Sequence, residues 1–195
     1  MEKTIRNAIV HNVNFALRPG PHWKIPPVLD RLLTERARQD FGESWWDDPL
    51  LREKLDSSFE TLLSYGPKRT APKYDSDLVA AYTFGFLPIH FPKVAELLSQ
   101  RFRHKDFPEK LRVLDLGCGP GTASLSCQYF FALLANARTM YGEHKHRYRL
   151  DIVQIDRNEQ FLEEARKLSE AFLPSKDNVV STIEKQHLMD LHPEN

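Results

Sequence analysis

Apolar positions in the first hundred residues recur every three or four places; after residue 110 they gather into short unbroken runs. Following Pro26-Pro27, the residues Val28, Leu29, Leu32, Leu33, Ala37 and Phe41 fall on one stripe of a helix that Gly42 ends. A second stripe, Leu51, Leu55, Phe59, Leu62 and Leu63, begins after Asp48-Pro49 and runs to Gly66. Proline suits that start because a first-turn N–H has no intrahelical partner. Residues 67–75, with Lys68, Arg69 and Lys73, read as a basic linker. Ser76-Asp77 then caps a third apolar stretch over residues 78–87, and Pro92 opens a fourth helix carrying Val94, Leu97, Leu98 and Phe102. No strand pattern, internal repeat or low-complexity tract interrupts this part. Residues 1–109 are therefore expected to form a helical N-terminal region.

Past residue 110 the period changes. Arg112-Val113-Leu114-Asp115-Leu116 is a short apolar run holding one acid, and it leads straight into a glycine-rich turn. Residues 122–141 read as a long, largely apolar helix stopped by Gly142. Residues 151–156 form a second strand candidate, again ending in an acid, Asp156. Asn158 can cap the next helix, whose Phe161, Leu162, Ala165, Leu168, Phe172 and Leu173 make one stripe up to Pro174. Residues 179–183 suggest a third strand. Strand, helix, strand, helix, strand predicts an α/β fold with a parallel sheet and right-handed crossovers over residues 110–195.

Composition narrows the class. With 195 residues, 41% hydrophobic and 28% charged, the chain has the balance of a globular protein rather than a disordered or fibrous one. Lys+Arg and Asp+Glu are 27 each, so no overall basic field marks a nucleic-acid binder, and only a local patch remains open. The two cysteines, Cys118 and Cys127, are too few for a disulfide scaffold or a four-cysteine metal site. No run approaches the 18 or so unbroken apolar residues that a membrane span needs. The first residues make a poor secretory signal and a poor transit peptide. A cytoplasmic protein is expected, with a mitochondrial location left open.

The chemistry concentrates in Asp115-Leu116-Gly117-Cys118-Gly119-Pro120-Gly121-Thr122, between a strand and a helix. Glycines there permit positive φ and let a ligand approach the backbone. A dinucleotide site wants G-x-G-x-x-G, whereas here the spacing is G-x-G-x-G, preceded by Asp115. This turn resembles motif I of the class I S-adenosylmethionine-dependent methyltransferases. S-adenosylmethionine has no phosphate and carries an ammonium group and a sulfonium, so a carboxylate at Asp115 suits it where it would repel a pyrophosphate.

The resemblance implies a Rossmann-like fold, S-adenosylmethionine as cofactor, and Asp115, Gly117, Cys118, Gly119, Gly121, Asp156 and Asp190 as cofactor-binding residues. Asp156 would accept hydrogen bonds from both ribose hydroxyls, and Asp190 would stand near the adenine. The spacing departs from the pattern: 41 positions separate Asp115 from Asp156, against about twenty in the analogous nucleotide fold. The excess lies in the long helix and in a basic insert over residues 141–149. Within it, His144 and His146 read as part of a solvated loop rather than as metal ligands. Cys118 fits the turn by its small size rather than as a nucleophile. Trp45-Trp46 reads as interhelical packing.

Upstream, Tyr74-Asp75, Ala80-Ala81-Tyr82, Leu87-Pro88 and Phe91 resemble the region before motif I in a methyltransferase-like family associated with the mitochondrial small ribosomal subunit. A class I methyltransferase has seven strands, and the 85 residues from Leu111 onward have room for three. A cofactor half incomplete at its C-terminus is thus expected, with the acceptor held elsewhere and no catalytic base identifiable. The activity expected is methyl transfer to an unidentified acceptor, RNA or ribosome-associated. The alternative is a non-catalytic ribosome-assembly or RNA/protein-binding factor that keeps the fold. It would make contact through the stretches 101–110 and 138–149, including Arg138, Lys145, Arg147 and Arg149.

Overall fold

The computed structural model describes residues 3–17, 25–64, 74–142, 147–172 and 179–187. Before any helix read from the sequence comes α1 (Lys3–Leu17), whose Ile9 and Val10 are buried. Helix α2 (Pro27–Phe41) begins at proline and stops at Gly42. Helix α3 (Pro49–Leu63) is capped by Asp48, which accepts from the Leu50 and Leu51 N–H groups. A short helix, α4 (Ser76–Ala81), is capped by Asp75 rather than by the Ser76-Asp77 pair: its carboxylate accepts from the Asp77 and Leu78 N–H groups. The Trp45-Trp46 pair sits in a single 3-10 turn, Trp46 about half exposed.

The spacing predicts a helix start at Pro92, and the structure corrects this. Helix α4 passes through a π-helical segment, Tyr82–Phe86, into α5 (Leu87–His104), with Pro92 inside. Proline at that point removes the bond to the Pro88 carbonyl. Burial carries the helix past it: Leu87, Phe91, Pro92, Ala95 and Phe102 all lie in the core. The joined run, Ser76–His104, is long and apolar enough to cross a membrane by length and composition alone, although 44% of its most apolar window is buried inside the protein.

Strands β1 (Lys110–Leu116), β2 (Tyr148–Asp156) and β3 (Val179–His187) form a parallel sheet in the order β1-β2-β3. Helix α6 (Thr122–Met140) connects β1 to β2, and α7 (Glu159–Ala171) connects β2 to β3. Right-handed crossovers between successive neighbours put both helices on one face. Residues 111, 113 and 115 of β1 turn toward that face, and Leu150, Ile152 and Val179 are buried in a cluster with Phe130, Phe131 and Leu134 of α6. Helices α1 and α5 join the same cluster through Ile9, Ala95 and Phe102. On the opposite face Leu114, Leu116 and Val180 remain more than half exposed. The structure is thus α/β with a three-stranded parallel sheet, and no strand precedes Lys110 among the described residues.

Candidate functional site

The glycine-rich turn fills the carboxyl edge of the sheet between β1 and α6. Gly117, Gly119 and Gly121 take φ values of 64°, 52° and 80°, a region that other residues enter only at a cost of roughly 1–2 kcal/mol. Such backbone lets the chain reverse within five residues and lay its amides against β2. Gly117 and Cys118 both donate to the Ile155 carbonyl, at 2.8 and 3.1 Å, and Gly121 donates to the Cys118 carbonyl at 2.9 Å. Gly119 donates to Asp156 Oδ2 at 2.9 Å. Pro120 has no N–H to offer. From Gly117 to Gly121 the turn therefore spends its amides within the protein.

Two buried carboxylates flank it. Asp115, 8% exposed, accepts at Oδ2 from the Ser124 hydroxyl (2.6 Å) and the Ser124 N–H (3.1 Å). Gly121 occupies the cap position of α6 and has no side chain, so Asp115 does the capping from the neighbouring strand. Burial pushes the Asp115 carboxyl above the ordinary carboxylate range; the Ser124 bonds resist this and the nearby Asp156 adds to it. Asp156, equally buried, bonds Gly119 through Oδ2 and the Asn158 N–H through Oδ1 at 2.9 Å. Asn158 in turn caps α7 by accepting from the Phe161 N–H. Each carboxylate has lone pairs left for a ligand. Cys118 is buried within the turn, and burial, with Asp115 and Asp156 behind it, pushes its thiol up to about 12. Such a thiol is no nucleophile at neutral pH.

An aromatic wall stands beside the turn. A Cβ built on Gly119 would lie 3.5 Å from the Tyr82 ring. Tyr82 packs on Phe161 with ring centroids 5.3 Å apart, and Tyr74 on Phe161 at 4.8 Å. Asn158 ties Tyr74 in place by donating to its carbonyl at 3.4 Å. Burial raises the Tyr82 hydroxyl pKa, with Tyr74 and Asp156 adding to the rise. On the other side of α7 a cavity of about 940 Å³ opens between α2, α4 and α7, lined by charges such as Arg36, Glu164, Arg166 and Lys185. Arg36 is paired with Glu164 and Asp40, and Arg166 with Glu163. Neither Asp115, Asp156 nor any glycine of the turn lines this cavity.

Of the residues expected at the site, Asp115, Gly117, Cys118, Gly119, Gly121 and Asp156 come together around one turn. Asp190, Lys145, His144 and His146 lie outside the described residues. Arg138 is corrected as a surface contact: it is 3% exposed, paired with Asp106, and its guanidinium lies over the Phe102 and Tyr148 rings at 5.6 and 6.0 Å. Its place on the inner face of α6, which periodicity alone did not reveal, takes it away from solvent. Arg147 and Arg149 are exposed at the amino end of β2. Arg149 and Asp156 are seven residue steps apart along the strand, about 23 Å at the usual strand rise.

Sequence reasoning missed Ser124, Tyr82 and Gln154. Ser124 carried a signal, being third in a helix whose cap position is a glycine. Tyr82 stands in the upstream resemblance without a role at the turn, and Gln154 carried no signal, because only packing brings them there. No protein-family model matches the chain, and no curated protein matches it.

Proposed function

We propose that this chain binds S-adenosylmethionine at the glycine turn, as the cofactor half of a class I methyltransferase whose acceptor is unidentified. One observation carries the reading: the turn presents two buried carboxylates and keeps its own amides occupied. Such a site favours a cationic, phosphate-free ligand over a dinucleotide, whose pyrophosphate needs free N–H groups. Asp115 Oδ1, which Ser124 leaves open, would receive the ligand's ammonium group. Asp156 would accept the ribose hydroxyls through its remaining lone pairs. Gly117 leaves open space where a Cβ would stand, and the Tyr74, Tyr82 and Phe161 rings offer a flat apolar side for a base. When bound, the sulfonium supplies an electrophilic methyl group, so the protein's contribution is mostly positioning. No residue of this site is assigned as a base.

Isothermal calorimetry with S-adenosylmethionine, S-adenosylhomocysteine and NAD tests the assignment. Either sulfur ligand should bind and NAD should not; tight NAD binding with no response to the sulfur ligands overturns it.

A second reading, a non-catalytic RNA-binding factor, draws on a separate observation. Lys110, Arg112, Arg147 and Arg149 are all exposed at the amino end of the sheet, and Lys110 pairs in register with Arg149. These cations lie a strand's length from the glycine turn, so contact there would be independent of the cofactor. Neutralising the four should lower the salt dependence of RNA binding by up to about one log–log unit per lost phosphate contact. Binding unchanged at every salt concentration removes this reading.

A further inference from the structure

Gln154 is the polar residue of the sheet with no explanation in the site described so far. It is fully buried, and neither its Oε1 nor its Nε2 has a hydrogen-bond partner among the described residues. A buried amide left unpaired on both atoms is costly, and each such group in a native protein calls for an explanation. Its position is specific. A Cβ placed on Gly121 would meet Gln154 Nε2 at 2.8 Å, with Ala165 of α7 next at 3.3 Å. The amide nitrogen therefore lies directly under the last glycine of the turn.

The register adds two neighbours. Gln154 pairs with Asp115 on β1 and with Lys185 on β3, so the three stand in one row on the helix-facing side of the sheet. Paired residues on adjacent strands are within easy side-chain reach. In this row an amide has a carboxylate on one side and an ammonium-bearing residue on the other. Its N–H₂ group suits Asp115, and its carbonyl suits Lys185. Both Ser124 bonds to Asp115 end on Oδ2, which leaves Oδ1 without a protein donor.

We infer that Gln154 is a positioning residue: when a cationic ligand occupies the turn, Gln154 donates Nε2–H to the Asp115 carboxylate and fixes the plane in which that carboxylate meets the ligand. The inference rests on the ammonium-binding role proposed for Asp115. The bond is unmade in the empty protein, where both Gln154 amide atoms lack a partner among the described residues, and forms with the ligand; a bond to an ionised acceptor is the stronger kind. The cost of the idle amide falls on the empty protein.

Two measurements on the full chain test this, with S-adenosylhomocysteine as the probe. In the wild-type protein, the Gln154 side-chain N–H₂ resonance should shift and exchange more slowly with water as the probe saturates. Gln154→Met, which keeps the volume and removes the amide, should weaken probe affinity about tenfold, the worth of one hydrogen bond to a charged group. Its melting temperature without probe should stay level or rise, because an unpaired polar group has been removed from the core. A resonance unmoved at saturation overturns the inference, as does a variant that binds the probe like wild type. So does a variant that melts lower while keeping its ligand-induced shift, since that is the signature of a structural role alone. Should Gln154→Met not fold, the wild-type resonance decides by itself. A wild-type protein with no heat and no melting shift toward the probe brings down the cofactor reading on which the inference stands, a result distinct from all of these.

Discussion

Removing the Asp156 carboxylate separates the cofactor reading from a purely structural one, and the structure sets the magnitude. Asp156 accepts two backbone N–H bonds, both at 2.9 Å, one from the buried Gly119 amide and one from Asn158 at the start of α7. Hydrogen bonds to a charged group contribute roughly 1.5–3 kcal/mol each, and a buried donor left alone costs a similar amount. Water can recover part of the loss at Asn158, which is only half-buried, but not at Gly119. Asp156→Ala should therefore destabilise the protein by about 3 kcal/mol, or lower its melting temperature by about 6–12 °C at this chain length. Asp156→Asn keeps one acceptor oxygen for Gly119 and should lose about half as much. Affinity should change as well. Saturating S-adenosylhomocysteine at about a hundred times its Kd should stabilise wild type by about 2.7 kcal/mol, a shift that Asp156→Ala should all but abolish. Thermal melts with and without the probe, followed by calorimetry on the folded variant, give both numbers. If Asp156→Ala melts within about 1 °C of wild type, the bonding argument fails. If it melts lower and its ligand-induced shift survives intact, Asp156 is structural and the ribose assignment falls.

Asp115 should give the site a pH signature. Its pKa is raised by burial above the reference value of 3.8, so the folded protein binds this proton more tightly than the unfolded chain. Its contribution to stability is therefore present below 3.8 and lost as pH rises through the raised value. Affinity for a cationic ligand should move the other way and increase through that window; Ser124→Ala, which removes a bond favouring the carboxylate, should carry the window higher. Calorimetric affinities from about pH 4 to about pH 8 check this, and a midpoint at or below 3.8 contradicts it. The cysteines should be silent in the folded protein: Cys118 and Cys127 are buried and both thiols are pushed up to about 12. Only about one thiol in ten thousand or fewer is ionised near neutral pH. Iodoacetamide should label neither until denaturant is added, and prompt labelling of native Cys118 would mean that the turn opens.

Local rules made much of this molecule legible in its sequence. The switch from a three-to-four-residue period to short apolar runs marks the change from helices to strands, because helices and strands present their faces at different periods. Gly117, Gly119 and Gly121 announce a positive-φ turn, and Asn158 announces the start of α7, since both signals act within a few residues. Tertiary contacts decided the rest. Pro92 looks like a helix start until the burial of Phe91 and Ala95 carries α5 through it. Arg138 looks like part of a basic stretch until Asp106, Phe102 and Tyr148 close around it. Gln154 and Tyr82 reach the turn only because strand register and helix packing bring them there, from positions up to 39 residues away in the chain. A sequence specifies conformations over one or two turns of chain through dihedral preference and capping. The neighbours of a buried polar group are set by how elements stack, and that is a property of the assembled core.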